Sequence, residues 1–347
     1  MQIKPAVLAL GTGFETEQGQ KLYERLKSLA QLHWYHSPLK NESWPSTLQK
    51  FVDANGPPLA LMIYGARIHR IDQALLDPLL PGLRLVASQG AGYDNVDVEF
   101  CTKNKVWVSN TPDSVTDSTA NCAVWLVLSC LRNFVNANEE AKIGEFRKNL
   151  SFTRDPSGLK LGVVGLGRIG SSVARKLRVF GMDIYYNSRH RASEEVERDS
   201  GDAKFVKELK DLVARCDVVT VHVPLSDSTR HLFNEDIFDS FSGGIFINTA
   251  RGKIHDEKAL VAALKSEKVA AAGLDVYEDE PEISEEFLRY GALPDRVITT
   301  PHIGAFTRQA QVKWEIEMLE NVLGVIKHDE PKHPVNSPDL EFSPEEI

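Results

Sequence analysis

The stretch Leu159-Lys160-Leu161-Gly162-Val163-Val164-Gly165-Leu166-Gly167-Arg168-Ile169-Gly170 sets an apolar run directly before a G-x-G-x-x-G turn, and an amphipathic segment over 171–180 follows. Strand, glycine turn and helix in that order form the context that separates a dinucleotide fingerprint from an ordinary glycine loop. Gly165 permits the tight turn, Gly167 lets the backbone approach a pyrophosphate, and Gly170 allows the helix to pack closely on the strand. The N–H groups at the start of that helix, with the positive end of its dipole, then face the anion. A chain carrying this unit is constrained to an α/β fold around a parallel sheet.

The next strand, over 182–186, ends roughly 20 residues beyond the glycines, where an NAD-binding fold presents an acid to the ribose 2′-hydroxyl. Here the residues are Asn187, Ser188, Arg189, His190 and Arg191. The acid is absent, and two guanidinium groups and a hydroxyl stand where a 2′-phosphate would sit. Arginine binds phosphate oxygens in a bidentate manner, so the loop predicts a preference for NADP(H), with NAD(H) as the lesser cofactor.

At 347 residues the chain exceeds one average domain. Its formal net charge of -9 argues against a nucleic-acid or acidic-membrane partner. The longest apolar run, over 122–131, falls well short of the roughly 20 residues that span a bilayer. Cys101, Cys122, Cys130 and Cys216 show no C-x-x-C pair and no metal-ligand spacing. They read as small buried apolar residues, no metal site is expected, and a reduced, cytoplasmic location follows.

Short apolar runs at 6–10, 59–64, 83–87 and 106–109 alternate with helical patterns such as 15–30, a rhythm of parallel strands and crossover helices. A second series runs through 161, 184, 218–221, 245–247, 271–274 and 297–299 and carries the fingerprint. Between them lie the loop signal Asn110-Thr111-Pro112 and a long apolar helical pattern over 116–134. A last helix is expected over 308–327, returning to the first domain, with a closing loop and solvated end from 329. The expected organisation is a discontinuous substrate domain, 1–110 plus 303–347, and a dinucleotide-binding domain, 111–302. The fold class is α/β, two Rossmann-like or flavodoxin-like parallel-sheet domains with a cleft between them.

Three polar residues fall at the carboxyl ends of strands in the second series, the edge where open α/β sheets bind ligands. Arg251 follows Ile247-Asn248-Thr249-Ala250, Glu280 follows the 273–279 segment, and His302 follows Thr299-Thr300-Pro301. Singly they read as a surface cation, one member of an acidic run and a loop histidine. Together, downstream of a nucleotide turn, a cation, a carboxylate and an imidazole form a set suited to reducing a carbonyl.

In order and spacing, the fingerprint, Val221-His222-Val223-Pro224-Leu225, Asn248-Thr249-Ala250-Arg251-Gly252, Gly273-Leu274-Asp275-Val276, Asp279-Glu280-Pro281 and Pro301-His302-Ile303-Gly304 resemble the D-isomer-specific 2-hydroxyacid dehydrogenases. The nearest types are the NADP-preferring glyoxylate/hydroxypyruvate reductases and fungal D-mandelate dehydrogenases. The resemblance implies that Gln89-Gly90-Ala91-Gly92 is a substrate loop, with Ala91 and Gly92 offering N–H groups to the substrate carboxylate and Tyr64-Gly65 on a neighbouring loop. It implies cofactor contacts for Thr116 and Asp275 near the nicotinamide, and for Arg168, Ile169, His222, Pro224, Thr229, Thr249, Ala250 and Gly304. Two departures stand out: Gly144-Glu145-Phe146 replaces the family's G-x-W, and Phe306 follows shortly after His302-Ile303-Gly304.

The implied reaction is reversible reduction of a 2-keto acid to the D-2-hydroxy acid, with His302 as acid and base, Glu280 orienting it, and Arg251 on the substrate carboxylate and carbonyl. Histidine suits the role because its ordinary pKa, about 6.5, lies near working pH. Glyoxylate or hydroxypyruvate is the first expected substrate and a bulkier 2-keto acid such as an aryl glyoxylate the second. The apolar segment 116–134 and the resemblance both point to a homodimer. The alternative from another class is a nucleotide-sensing, corepressor-like binding protein on the same fold.

Overall fold

The structure, a computed structural model, describes residues 4–38, 43–65, 68, 70–288 and 296–338. The chain divides into two compact units: Met1–Val115 with Thr307–Ile347, and Thr116–Phe306. The end of the expected solvated tail lies outside the described residues.

The first unit is built on β1 (Ala6–Gly11), β2 (Gln31–Tyr35), β3 (Ala60–Tyr64), β4 (Leu85–Ser88) and β5 (Trp107–Ser109), all parallel, in the order β2-β1-β3-β4-β5. That is the flavodoxin-like order, and its switch point lies between β1 and β3. Strands β3 and β4 are buried along their whole length, as continuous apolar runs covered on both faces must be. One face is filled by Val7, Met62, Leu85 and residues of the helix Arg308–His328, the other by Leu8, Leu61, Val86 and Phe51.

The helix Arg308–His328 brings Glu315, fully buried, against the start of the helix Glu17–Leu29. Its carboxylate accepts the N–H groups of Glu15 (2.9 Å) and Thr16 (3.0 Å) and the Thr16 hydroxyl (2.6 Å). An anion at a helix N-terminus is satisfied by otherwise unpaired amides without needing a cation.

The second unit holds β6 (Lys160–Val164), β7 (Asp183–Asn187), β8 (Lys204–Phe205), β9 (Val218–Val221), β10 (Gly244–Asn248), β11 (Val269–Leu274) and β12 (Val297–Thr299), again parallel, in the order β12-β11-β10-β9-β6-β7-β8. The order reverses between β6 and β9, so the loop after β6 opens at the topological switch point. The long apolar pattern becomes two helices, Thr116–Arg132 and Phe134–Lys142, because Asn133 takes a left-handed conformation (φ 50°). The first packs on the helix Arg168–Val179 through Ala120, Ala123, Val127, Val173 and Leu177.

Candidate active site

The glycine turn leaves β6 with Gly165 at φ 94°, a conformation that side-chain-bearing residues avoid, and a Cβ there would press within 2.8 Å of the His222 carbonyl oxygen. A Cβ on Gly170 would run into the Gly165 carbonyl, whereas one on Gly167 would meet nothing within 4 Å. The turn is therefore closed on its protein side and open above Gly167. Gly167 caps the helix Arg168–Val179 with no side-chain bond, and the first intrahelical bond runs from Ser171 N–H to the Gly167 carbonyl (2.8 Å), so Ile169 and Gly170 offer their N–H groups out of the helix end. At the end of β10 the Thr249 hydroxyl is buried without a partner among the described residues. An open glycine turn, a helix N-terminus and an orphaned hydroxyl along one sheet edge fit a dinucleotide.

The loop after β7 is more organised than its sequence suggests. Gly165 N–H donates to the Asn187 carbonyl (2.8 Å), and the Ser188 hydroxyl accepts the Leu166 N–H (3.0 Å), joining this loop to the glycine turn. The Asn187 amide donates to the carbonyls of Val206 and Lys207. Arg191 leaves the phosphate-binding set: its guanidinium is forked onto Glu197 (2.9 and 3.0 Å), which also accepts the Tyr186 hydroxyl (2.6 Å). The hydrogen bonds from Arg191 and then Tyr186 hold Glu197 down at about 2. Sequence alone sets both arginines where a phosphate would sit, and it cannot show that a carboxylate six residues on turns one of them away. Arg189 is exposed and has no ion-pair or hydrogen-bond partner among the described residues.

Arg251, Glu280 and His302 come together. His302 Nδ1 lies 2.7 Å from Glu280 Oε2, and the other carboxylate oxygen accepts Tyr277 N–H at 3.0 Å. A carboxylate only accepts, so the ring proton sits on Nδ1 and Nε2 is left to exchange a proton with a ligand. Burial pushes the Glu280 pKa up, but the hydrogen bond and charge of His302, the Tyr277 N–H and the Arg251 charge outweigh it and hold the carboxyl below its ordinary value. Arg251 is half-buried and donates through Nη1 to the Ala250 carbonyl (2.8 Å).

His302 itself is left-handed (φ 53°), and the turn that imposes this is stapled from below by Asp275. That carboxylate, 1% exposed, accepts the Thr300 hydroxyl (2.6 Å), Ile303 N–H (2.9 Å) and Gly304 N–H (2.7 Å). Both Asp275 and Gly304 thus spend polar groups on placing the histidine.

Other expected cofactor residues are accounted for as follows. His222 Nε2 sits 2.9 Å from the Thr220 hydroxyl, and desolvation lowers its pKa to about 3, so the ring is neutral. The Thr229 hydroxyl closes its own turn, donating to the Pro224 carbonyl (2.7 Å) and accepting Ser226 N–H (2.8 Å). Ala250 N–H is held by Asn248 (2.9 Å), and Thr116 opens the helix Thr116–Arg132. The four cysteines are free, and burial pushes all four thiols up to about 12. No helix among the described residues is long and apolar enough to cross a membrane.

In the first unit, Tyr64 ends β3 and Gly65 follows it, while Ala91 and Gly92 follow β4, both at carboxyl ends of the sheet, with β3 bordering the switch point. The Tyr64 side chain turns inward, against Phe14, with its hydroxyl 3.2 Å from Glu315. Gln89 accepts Gly65 N–H (2.8 Å), joining the two loops. The N–H groups of Ala91 and Gly92 have no acceptor among the described residues. Asn110 and Thr111, which the sequence presents only as a loop signal, bond directly to this loop: Asn110 Nδ2 to the Ala91 carbonyl (2.7 Å), and Thr111 Oγ1 to Gly90 N–H (2.8 Å). Their turn-forming composition masked that role.

Two parallel α/β units, one with a glycine turn at its switch point and an Arg–Glu–His set on the same edge, define a nucleotide-dependent oxidoreductase. The family described as D-isomer specific 2-hydroxyacid dehydrogenase, NAD binding domain, matches residues 124–304, and this chain belongs to the D-isomer specific 2-hydroxyacid dehydrogenase family. The 4-methyl-2-oxopentanoate reductase A of Aspergillus oryzae is 35% identical over 93% of this chain and 95% of its own length. The crystal structure of a glyoxylate reductase from Paecilomyes thermophila superposes with a TM-score of 0.87 at 32% identity, over 96% of this chain and 98% of the other. The holo form of Rhodotorula graminis D-mandelate dehydrogenase gives 0.88 at 27% identity, over 97% and 99%.

Proposed function

We propose that this protein reduces a 2-keto acid to the D-2-hydroxy acid, and catalyses the reverse, with NADP(H) preferred over NAD(H) and His302 as acid and base. The observation that carries the reading is the 2.7 Å pairing of His302 Nδ1 with Glu280, which leaves Nε2 as the proton-exchanging atom. The dinucleotide would rest on Gly165, Gly167, Ile169 and Gly170, with Thr249 alongside, and Arg189 and Ser188 would take its 2′-phosphate. When bound, it supplies the hydride. His302 Nε2–H gives its proton to the substrate carbonyl oxygen, and Glu280 stabilises the imidazolium before transfer and holds the ring during it. Arg251 binds the substrate carboxylate and draws electron density toward the carbonyl oxygen, and the N–H groups of Ala91 and Gly92 also bind the carboxylate.

Glyoxylate and hydroxypyruvate are the first candidates. The names of the relatives widen the range to a branched 2-oxo acid and to an aryl one. The exposed aromatics Trp125, Phe134, Phe146 and Phe152 support a homodimer, since solvent exposure of four large rings is costly in a monomer.

The test is an absorbance assay of NADPH and NADH oxidation with glyoxylate, hydroxypyruvate, pyruvate, 4-methyl-2-oxopentanoate and phenylglyoxylate. Turnover faster with NADPH supports the reading, and the best substrate sizes the pocket. Tight cofactor binding with no turnover of any keto acid would replace it with the nucleotide-sensing reading.

A further inference from the structure

The groups proposed to hold the substrate carboxylate in the first unit are backbone N–H bonds, and these have no side-chain torsion to aim them. In a planar trans peptide the C=O and the N–H point in opposite directions, so whatever fixes the carbonyl fixes the N–H. The Gly90 carbonyl accepts Thr111 N–H at 2.9 Å, and the Ala91 carbonyl accepts Asn110 Nδ2 at 2.7 Å. Two consecutive carbonyls are thereby drawn toward residues 110–111. The N–H groups of Ala91 and Gly92, on the far edges of those same peptides, turn the other way together. Successive N–H groups set side by side make an anion-binding concavity.

The two anchors differ in kind. Thr111 holds the first peptide through its main chain, which nearly any residue could supply. Asn110 holds the second through its side-chain amide, which an aspartate, leucine or serine could not replace in the same place. Asn110 is itself fixed: it is 8% exposed, its carbonyl accepts Asn321 Nδ2 (2.9 Å), and Asn321 Oδ1 accepts His333 N–H (2.8 Å).

We propose that Asn110 is a positioning residue for 2-keto acid binding, its amide turning the Ala91–Gly92 peptide so that the Gly92 N–H meets the substrate carboxylate. This rests on the assignment of Ala91 and Gly92 made under the proposed function. Asn110 acts only through that peptide.

The experiment compares Asn110→Asp, which keeps the shape but sets a carboxylate against the Ala91 carbonyl, with Gly92→Pro, which deletes the N–H, and with the double variant. For Asn110→Asp the expected result is a KM for the keto acid raised about tenfold or more, the loss of a hydrogen bond to a charged group, with kcat and the Kd for NADPH within about twofold of the parent. The double variant should have a KM no higher than Gly92→Pro alone, because both changes remove one contact. A merely structural Asn110 would lower the melting temperature and the active fraction and leave KM in place, which overturns the proposal. A raised KM in Gly92→Pro with an unchanged one in Asn110→Asp overturns it too, while the substrate loop stands. An unchanged KM in Gly92→Pro removes the substrate-loop assignment and this inference with it. Asn110→Ala, which deletes the donor without adding charge, carries the same outcomes if the aspartate variant does not fold.

Discussion

The two units share an architecture and put it to opposite uses. In the second, the candidate chemistry belongs to side chains, and the main chain holds them: Tyr277 N–H fixes Glu280, while Ile303 and Gly304 N–H groups seat the turn of His302 on Asp275. In the first, the candidate groups are main-chain N–H bonds, and side chains hold the main chain: Asn110 on the Ala91 carbonyl, Thr111 Oγ1 on the Gly90 N–H, Gln89 on Gly65, Glu315 behind Tyr64. Proton transfer needs a titratable side chain, whereas recognition of a carboxylate needs only fixed dipoles. Substitution should therefore act differently in the two places.

The largest expected effect is in the second unit. His302→Ala should lose on the order of 10²- to 10⁴-fold in turnover while keeping the parent's Kd for NADPH, measured by fluorescence titration. Turnover near the parental value would remove His302 as the acid and with it the contrast between the units. Next, Arg189→Ala should weaken NADPH by about tenfold, the worth of a charge-assisted hydrogen bond, and leave NADH nearly unchanged. Equal losses for both cofactors would dissolve the 2′-phosphate reading.

A smaller effect, on stability, is expected at Glu317 in the first unit. This carboxyl is buried with Oε2 unpartnered among the described residues, and burial, helped by the negative charge of Asp113, raises its pKa from 4.5 to about 7. A raised acid pKa means that the fold prefers the protonated form. The stability it confers is complete below 4.5 and is lost as the pH climbs through 7. Glu317→Gln should then raise the melting temperature at pH 8 by about 2–4 °C, the shift of roughly 1 kcal/mol, and change it little at pH 4. The smallest effect is predicted for Tyr64→Phe, in the loop region where function is assigned to the main chain: kcat/KM within about threefold of the parent, since the lost bond is a single hydroxyl contact. A large fall in kcat/KM would show that the first unit also works through a side chain.

Much of the fold was legible because it rests on local patterns. The strands at 218–221 and 297–299 and the start of the last helix at Arg308 coincide with their apolar runs and caps. Strand β2 escaped notice because it is an edge strand whose residues are half-buried or exposed, leaving no clean alternation. The break between the helices at Asn133 was likewise hidden in a continuous apolar pattern, since a single left-handed residue does not interrupt hydrophobic spacing. Within the site, Arg251, Glu280 and His302 could be singled out as reactive types at strand ends.

By itself the sequence determined that this chain is α/β, that a dinucleotide turn follows β6, and that an Arg–Glu–His set lies on the same sheet edge, because glycine geometry, apolar period and side-chain chemistry are properties of short segments. Only the tertiary structure decided which of two neighbouring arginines is tied to a carboxylate, that Asp275 is spent on the turn of His302, and that Asn110 donates to the carbonyl of the peptide before Gly92. Each of these is a hydrogen bond between residues brought together by folding, and such a bond leaves no mark in the spacing of either partner.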